Sequence, residues 1–505
     1  MKYALNLIIA LSFCLNAAAK DKDLAIKKQE GIVGKDLLHN TPLNCLQFQL
    51  PYEIFSWKHD SARQEIIVLL RDKGMNLNRG YLSIFDMKTN SFRWEMPVST
   101  FDIFTCRDRV LVTSSAATLC YNRADGQLQW RAEEIRIRHV DTLNEIGISS
   151  LGKGLDLKTG QIIWTKKLRG DDYLEDYVQL NDTTIAAFAN GLHVFNSLTG
   201  KGITVPGKTE KRDVGAAVAM GIVGGLLGGV VGGMLLYSVT DKKEVHGTSR
   251  LLQAGDKCYF TMMNSIGCVD IASKLVLWDE ALDPQWSSSC SMYLYDGKLV
   301  LINDGMVPGE KNEKKLSGRA YMAVYDQGTG AQLYEEELSR YYGALRDKKL
   351  EDDTLTFIYI RTVVKMNIKN RAVALKKRNP DIESYYHYFV DTSNTYIARS
   401  DARFKRFNEV YPEVREAIVD SKHDIILLDK NYDQLMKLNS EALCPKVAGN
   451  GTYDLLVKGK NSYLLSQGQT VGELTTKAKG LLVDNKYYYF DDEVMNVVEL
   501  EKLLP

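Results

Sequence analysis

Asp156-Leu157-Lys158-Thr159-Gly160-Gln161-Ile162-Ile163-Trp164 is the stretch on which the reading of this chain turns. An Asx residue at its head can accept backbone hydrogen bonds from two residues on, Gly160 tolerates the positive φ of a tight bend, and the residues behind the bend alternate toward an aromatic. The physical object is a β-hairpin that delivers one indole, eight residues after the Asx, to a set strand face. The unit recurs. Asp86 leads to Trp94, Asn122 to Gly126 and Trp130, Asn196 to Gly200, Asp270 to Trp278, and Asp326 to Gly330 and Tyr334. Asn367 heads a degenerate copy and Asp429 a fainter one.

The early Asx residues fall 36, 34 and 40 residues apart, the length of one four-stranded antiparallel sheet. Between the turns, Val110–Thr113, Ile185–Phe188, Lys298–Ile302 and Leu355–Tyr359 read as further strands. Small sheets of this kind must cover their faces against neighbours and protect their edges, which a ring of stacked blades does. The expectation is an all-β chain, a seven- or eight-bladed β-propeller, running 44–205 and 246–505 around an insert at 206–245. Tyr487-Tyr488-Tyr489-Phe490 is expected as a buried closing strand that pairs with a strand near Leu46 to Phe48.

These repeats resemble those of the pyrroloquinoline-quinone-like propellers, a superfamily that holds quinoprotein alcohol dehydrogenases and a propeller lipoprotein of outer-membrane assembly; the likeness is to the non-catalytic branch. The resemblance implies that Trp94, Trp130, Trp164 and Trp278 pack between adjacent blades, with Tyr334 as a smaller substitute. Gly126, Gly160, Gly200 and Gly330 then serve the bends. On this reading the motif residues hold blades together and touch no substrate.

Composition excludes several classes. Of 505 residues, 45% are apolar and 25% charged, which fits neither disorder nor a many-span membrane protein. Lys and Arg total 64 against 64 Asp and Glu, so no global field draws the chain to nucleic acid. Residues 1–19 carry Lys2, an apolar run to Phe13 and Ala17-Ala18-Ala19, the pattern of a cleaved secretory signal. Export to the periplasm or envelope is expected. Seven cysteines would follow cleavage, an odd number, so they form no disulfide framework. Cys258 and Cys268 flank an expected hairpin turn and are candidates for one bridge across it.

The interval from Asn196 to Asp270 is one sheet too long, and Val214–Thr240 is 27 residues without a charge. Gly221, Gly225, Gly229 and Gly233 recur every fourth residue there, a smooth helical stripe suited to close packing or a bilayer. A helical glycine-zipper insert with membrane contact is expected.

No catalytic apparatus is legible. Adjacent cysteines, G-x-S-x-G and H-E-x-x-H are absent from the sequence, and its histidines are scattered. Gly202–Thr209 matches the phosphate-loop pattern by letter, but Ile203-Thr204-Val205 is β-branched and Pro206 lacks an N–H to offer. Trp286 and Asp283 lie in a loop and make only a weak quinone slot. Arg403-Phe404-Lys405-Arg406, followed by Phe407 and Tyr411, reads as a solvated face, with a basic aromatic surface as the rival. The expected function is a non-enzymatic binding or scaffold propeller with a protein or glycan partner and with no catalytic residue, cofactor or metal. The alternative is a quinone- or metal-dependent periplasmic oxidoreductase.

Overall fold

The computed structural model describes residues 26–71, 80–98, 102–114, 116–168, 174–189, 191–206, 250–262, 265–282, 290–308, 314–316, 320–338, 345–359, 362–378, 388–398, 403–419, 424–475 and 480–503. The signal at 1–19, the glycine positions 221, 225, 229 and 233, and the 283–289 loop with Trp286 lie outside them. Strand dominates, and the one α-helix among the described residues is the single turn Phe407–Val410. Among those residues no helix is long and apolar enough to cross a membrane.

Four-stranded antiparallel sheets follow one another along the chain, at 53–98, 102–133, 137–165, 175–206, 250–281, 290–337, 345–378 and 388–439. This is the size of sheet that β-propellers stack as blades. Each Asx turn of the sequence closes the hairpin between the third and fourth strands. In the 137–165 sheet the third strand is Lys153–Asp156 and the fourth Ile162–Thr165. A small hairpin, Met306–Pro308 with Lys314–Leu316, is set between the second and third strands of the 290–337 sheet.

Two compact units divide the chain, and the division does not fall at the glycine-rich insert. One unit is Phe101–Tyr388 with Ile418–His423, and it includes sheets from both sides of the insert. Within it the hydrophobic clusters lie between successive sheets. Leu111 and Cys120 of the 102–133 sheet pack with Ile137 and Leu155 of the next, and Phe188 and Val194 with Phe260 and Val269 across the insert. Second strands such as Lys298–Asn303 are buried along nearly their whole length because both faces are covered.

The other unit, Met1–Thr100, Phe389–Ala417 and Asp424–Pro505, is organised by an eleven-stranded sheet. The N-terminal hairpin, Lys27–Asp36 with Thr41–Gln49, ties two C-terminal runs together. Its first strand pairs with Gln469–Leu474 and its second with Val494–Glu499. Leu46 faces Val497 and Phe48 faces Met495. The partner of the strand that carries Leu46 and Phe48 is therefore Val494–Glu499, not the tyrosine-rich run. The tyrosine-rich Lys486–Asp491 is one strand further in and pairs with Val494–Glu499 in turn. Both positions are buried, so apolar content alone does not distinguish them.

Candidate functional site

Across the eight copies the Asx side chain accepts backbone N–H groups. Asp156 Oδ1 accepts from Lys158 at 2.7 Å, Asn196 Oδ1 from Leu198 at 2.9 Å, and Asp326 Oδ1 from Thr329 at 2.8 Å. Asp86, Asn122, Asp270, Asn367 and Asp429 do the same. In seven copies the fifth residue has positive φ: Asn90, Gly126, Gly160, Gly200, Lys274, Gly330 and Arg371.

Four of the aromatics, all within one unit, reach the turn of the next sheet. Trp130 Nε1 donates to the Leu157 carbonyl at 3.0 Å, Trp164 Nε1 to Ser197 at 2.7 Å, and Trp278 Nε1 to Gln327 at 3.2 Å. The Tyr334 hydroxyl makes the equivalent bond to Ile368 at 3.1 Å. The acceptor is always the residue after the Asx. The turn glycine lies under the indole: a Cβ on Gly160 would stand 2.6 Å from Trp130, one on Gly200 2.6 Å from Trp164, and one on Gly330 2.4 Å from Trp278. Where the aromatic shrinks to Tyr334, Arg371 fills the turn position and its guanidinium lies 5.2 Å from the ring centroid. These contacts place Trp130, Trp164, Trp278, Gly160, Gly200 and Gly330 in packing between sheets of one unit. Trp94 is half-buried on Ser91–Val98.

The expected Cys258–Cys268 bridge is absent. Cys258 opposes Val269 and Cys268 opposes Tyr259, so the two thiols are one residue out of register and face different hydrophobic clusters. Both are free and buried, and burial pushes the Cys268 thiol up to about 11. The phosphate-loop lookalike also resolves: Gly202–Pro206 is an extended fourth strand paired with Gly191–Phe195, and the rest of the match lies outside the described residues.

A groove of about 890 Å³ is present in the unit that carries the chain ends. One wall is Phe404–Arg406, the edge strand of the eleven-stranded sheet, which pairs on one side with Thr395–Ala398. Strand alternation decides the run's character. Phe404 points inward, 5% exposed and against Tyr463, whereas Lys405 is exposed. The sequence reading of a solvated face holds for Arg403, Lys405 and Arg406, yet all three also line a concavity.

Lys446, Asp454, Thr452, Gln467 and two turn glycines, Gly451 and Gly468, form the other side. The floor is locked by hydrogen bonds. The Tyr396 hydroxyl donates to Asp454 Oδ2 at 2.5 Å, and Lys446 Nζ lies 2.6 Å from Asp454 Oδ1. Burial first, and then the Asp454 carboxylate, push the Tyr396 hydroxyl above its ordinary value; the bond to Tyr396 raises Arg406. Four cations, Arg403, Lys405, Arg406 and Lys446, thus line the groove with two carboxylates, Glu409 and Asp454. Its two sides are far apart in sequence, and only the Arg403–Arg406 run signalled it.

No protein-family model matches the chain, and no curated protein does. Among solved structures it is similar to BamB from Moraxella catarrhalis, at 12% identity over 85% of this chain and 98% of that one, with a TM-score of 0.31. It is also similar to the dihydro-heme d1 dehydrogenase NirN in complex with DHE, at 9% identity over 78% of this chain and 77% of that one, with a TM-score of 0.30.

Proposed function

We propose that the chain is an exported, non-enzymatic β-propeller that works as a binding or scaffold module at the cell envelope. The carrying observation is the docking of four of the repeat aromatics on the next turn, through three indole N–H bonds and one tyrosine hydroxyl bond of the same form. It commits the most regular residues of the repeat to holding sheets together and leaves recognition to surfaces such as the groove. Export is supported by the charged, apolar and small-residue order of 1–19.

The reading is tested by adding pyrroloquinoline quinone and calcium to the mature protein and following quinone absorbance and dye reduction, alongside crosslinking in intact envelopes. A specific crosslinked envelope component without turnover is expected. Stoichiometric quinone binding with dye reduction would replace the binding module by an oxidoreductase.

A further inference from the structure

We infer that the groove beside the Phe404–Arg406 edge strand is a binding site for a phosphate ester carrying at least two negative charges. The inference deepens the binding-module reading and rests on it. Charge selects the ligand: four cations against two carboxylates leave an excess of positive charge in a chain that is neutral overall. Asp454 is already met by Lys446 and by the Tyr396 hydroxyl, and this locks the floor while Arg403 and Lys405 stand exposed at the wall. Arginine and lysine together suit phosphate oxygens, the first through its planar fork and the second as a point charge.

Shape agrees. The volume falls within the roughly 300–1,000 Å³ of small-molecule sites. Gly451 and Gly468, at φ +91° and +79°, have open space where a side chain would stand, so the rim is not narrowed there. Thr452 and Gln467 add neutral polar groups for the ester's remaining oxygens. Basic residues on an edge strand also discourage sheet-to-sheet pairing. That role needs no facing wall, and here Lys446, Thr452 and Gln467 supply one.

The test is calorimetric titration of the full mature chain with tripolyphosphate and with glycerol phosphate, and flotation with phosphatidylcholine vesicles with and without phosphatidic acid. The variants are Lys405→Gln and Arg403→Gln, with a thermal melt as fold control. Saturable binding that weakens about tenfold in each variant is expected, as for loss of one charge-assisted hydrogen bond, and it should fall with added salt. Binding of glycerol phosphate or tripolyphosphate identifies a free phosphorylated ligand; binding only of phosphatidic acid vesicles, lost in the variants, identifies a lipid headgroup. No saturable binding, or binding that both well-folded variants retain, overturns the site. If envelope crosslinking persists in that case, the binding-module reading stands and only the groove's role falls.

Discussion

Gly160 and Lys274 hold the same turn position with the same sign of φ, at 73° and 55°, yet only Gly160 has an indole above it. The difference follows from the preceding sheet, which offers Trp130 to Gly160 but has Thr204, eight residues after Asn196, ahead of Lys274. Gly160→Ala is therefore expected to cost roughly 2–4 kcal/mol, from left-handed strain plus overpacking. Arg371→Gly should change stability by less than about 1 kcal/mol, because relief of strain is offset by backbone entropy. Chemical denaturation of both variants checks the pair. Glu95 makes a separate prediction, since burial pushes its carboxyl up to about 7 from 4.5. Between those values the folded chain holds a proton that the unfolded chain releases, so stability falls as pH rises through the window. In Glu95→Gln that fall should be smaller than in wild type when unfolding is compared at pH 5 and pH 8.

The fourth strand of a sheet carries a device that alternation alone does not reveal. Register slips one residue before the aromatic: Trp164 faces Gly154 while Ile162 faces Leu155, leaving Ile163 bulged, and Leu277 and Leu333 are displaced likewise. A bulge re-aims the next side chain, here toward the neighbouring turn. It also accounts for apolar residues at the surface, with Ile163 47%, Leu277 45% and Leu333 49% exposed. Bend and aromatic were legible in sequence because they lie within nine residues. Neither the slip nor the landing site one sheet on could be read, as both depend on a pairing partner. Gly154 shows the same limit: a Cβ there would stand 2.1 Å from the Trp164 ring, yet nothing local marks it. The cysteine error has this cause too, since one step of register separates facing thiols from thiols on opposite faces.

Over the whole chain, the all-β class and the repeat could be read from residues 81–280, while the groove could not, because its sides meet only through the eleven-stranded sheet. The N-terminal hairpin gives that sheet its continuity. Leu46→Pro removes a backbone donor from a strand paired on both sides, facing Glu30 and Val497, and should lower stability by about 3 kcal/mol or more in thermal unfolding. The glycine-rich stretch makes its own prediction: deleting Val214–Thr240 should shift the protein from the membrane fraction to the soluble one. The direct test of the central claim is a double-mutant cycle on Trp164 and Gly200, read by denaturant unfolding. If the indole rests on that turn, Gly200→Ala costs at least about 1 kcal/mol less in a Trp164→Ala background than in wild type. Costs that simply add would mean that the two residues do not meet, and the account of how successive sheets are held would be wrong.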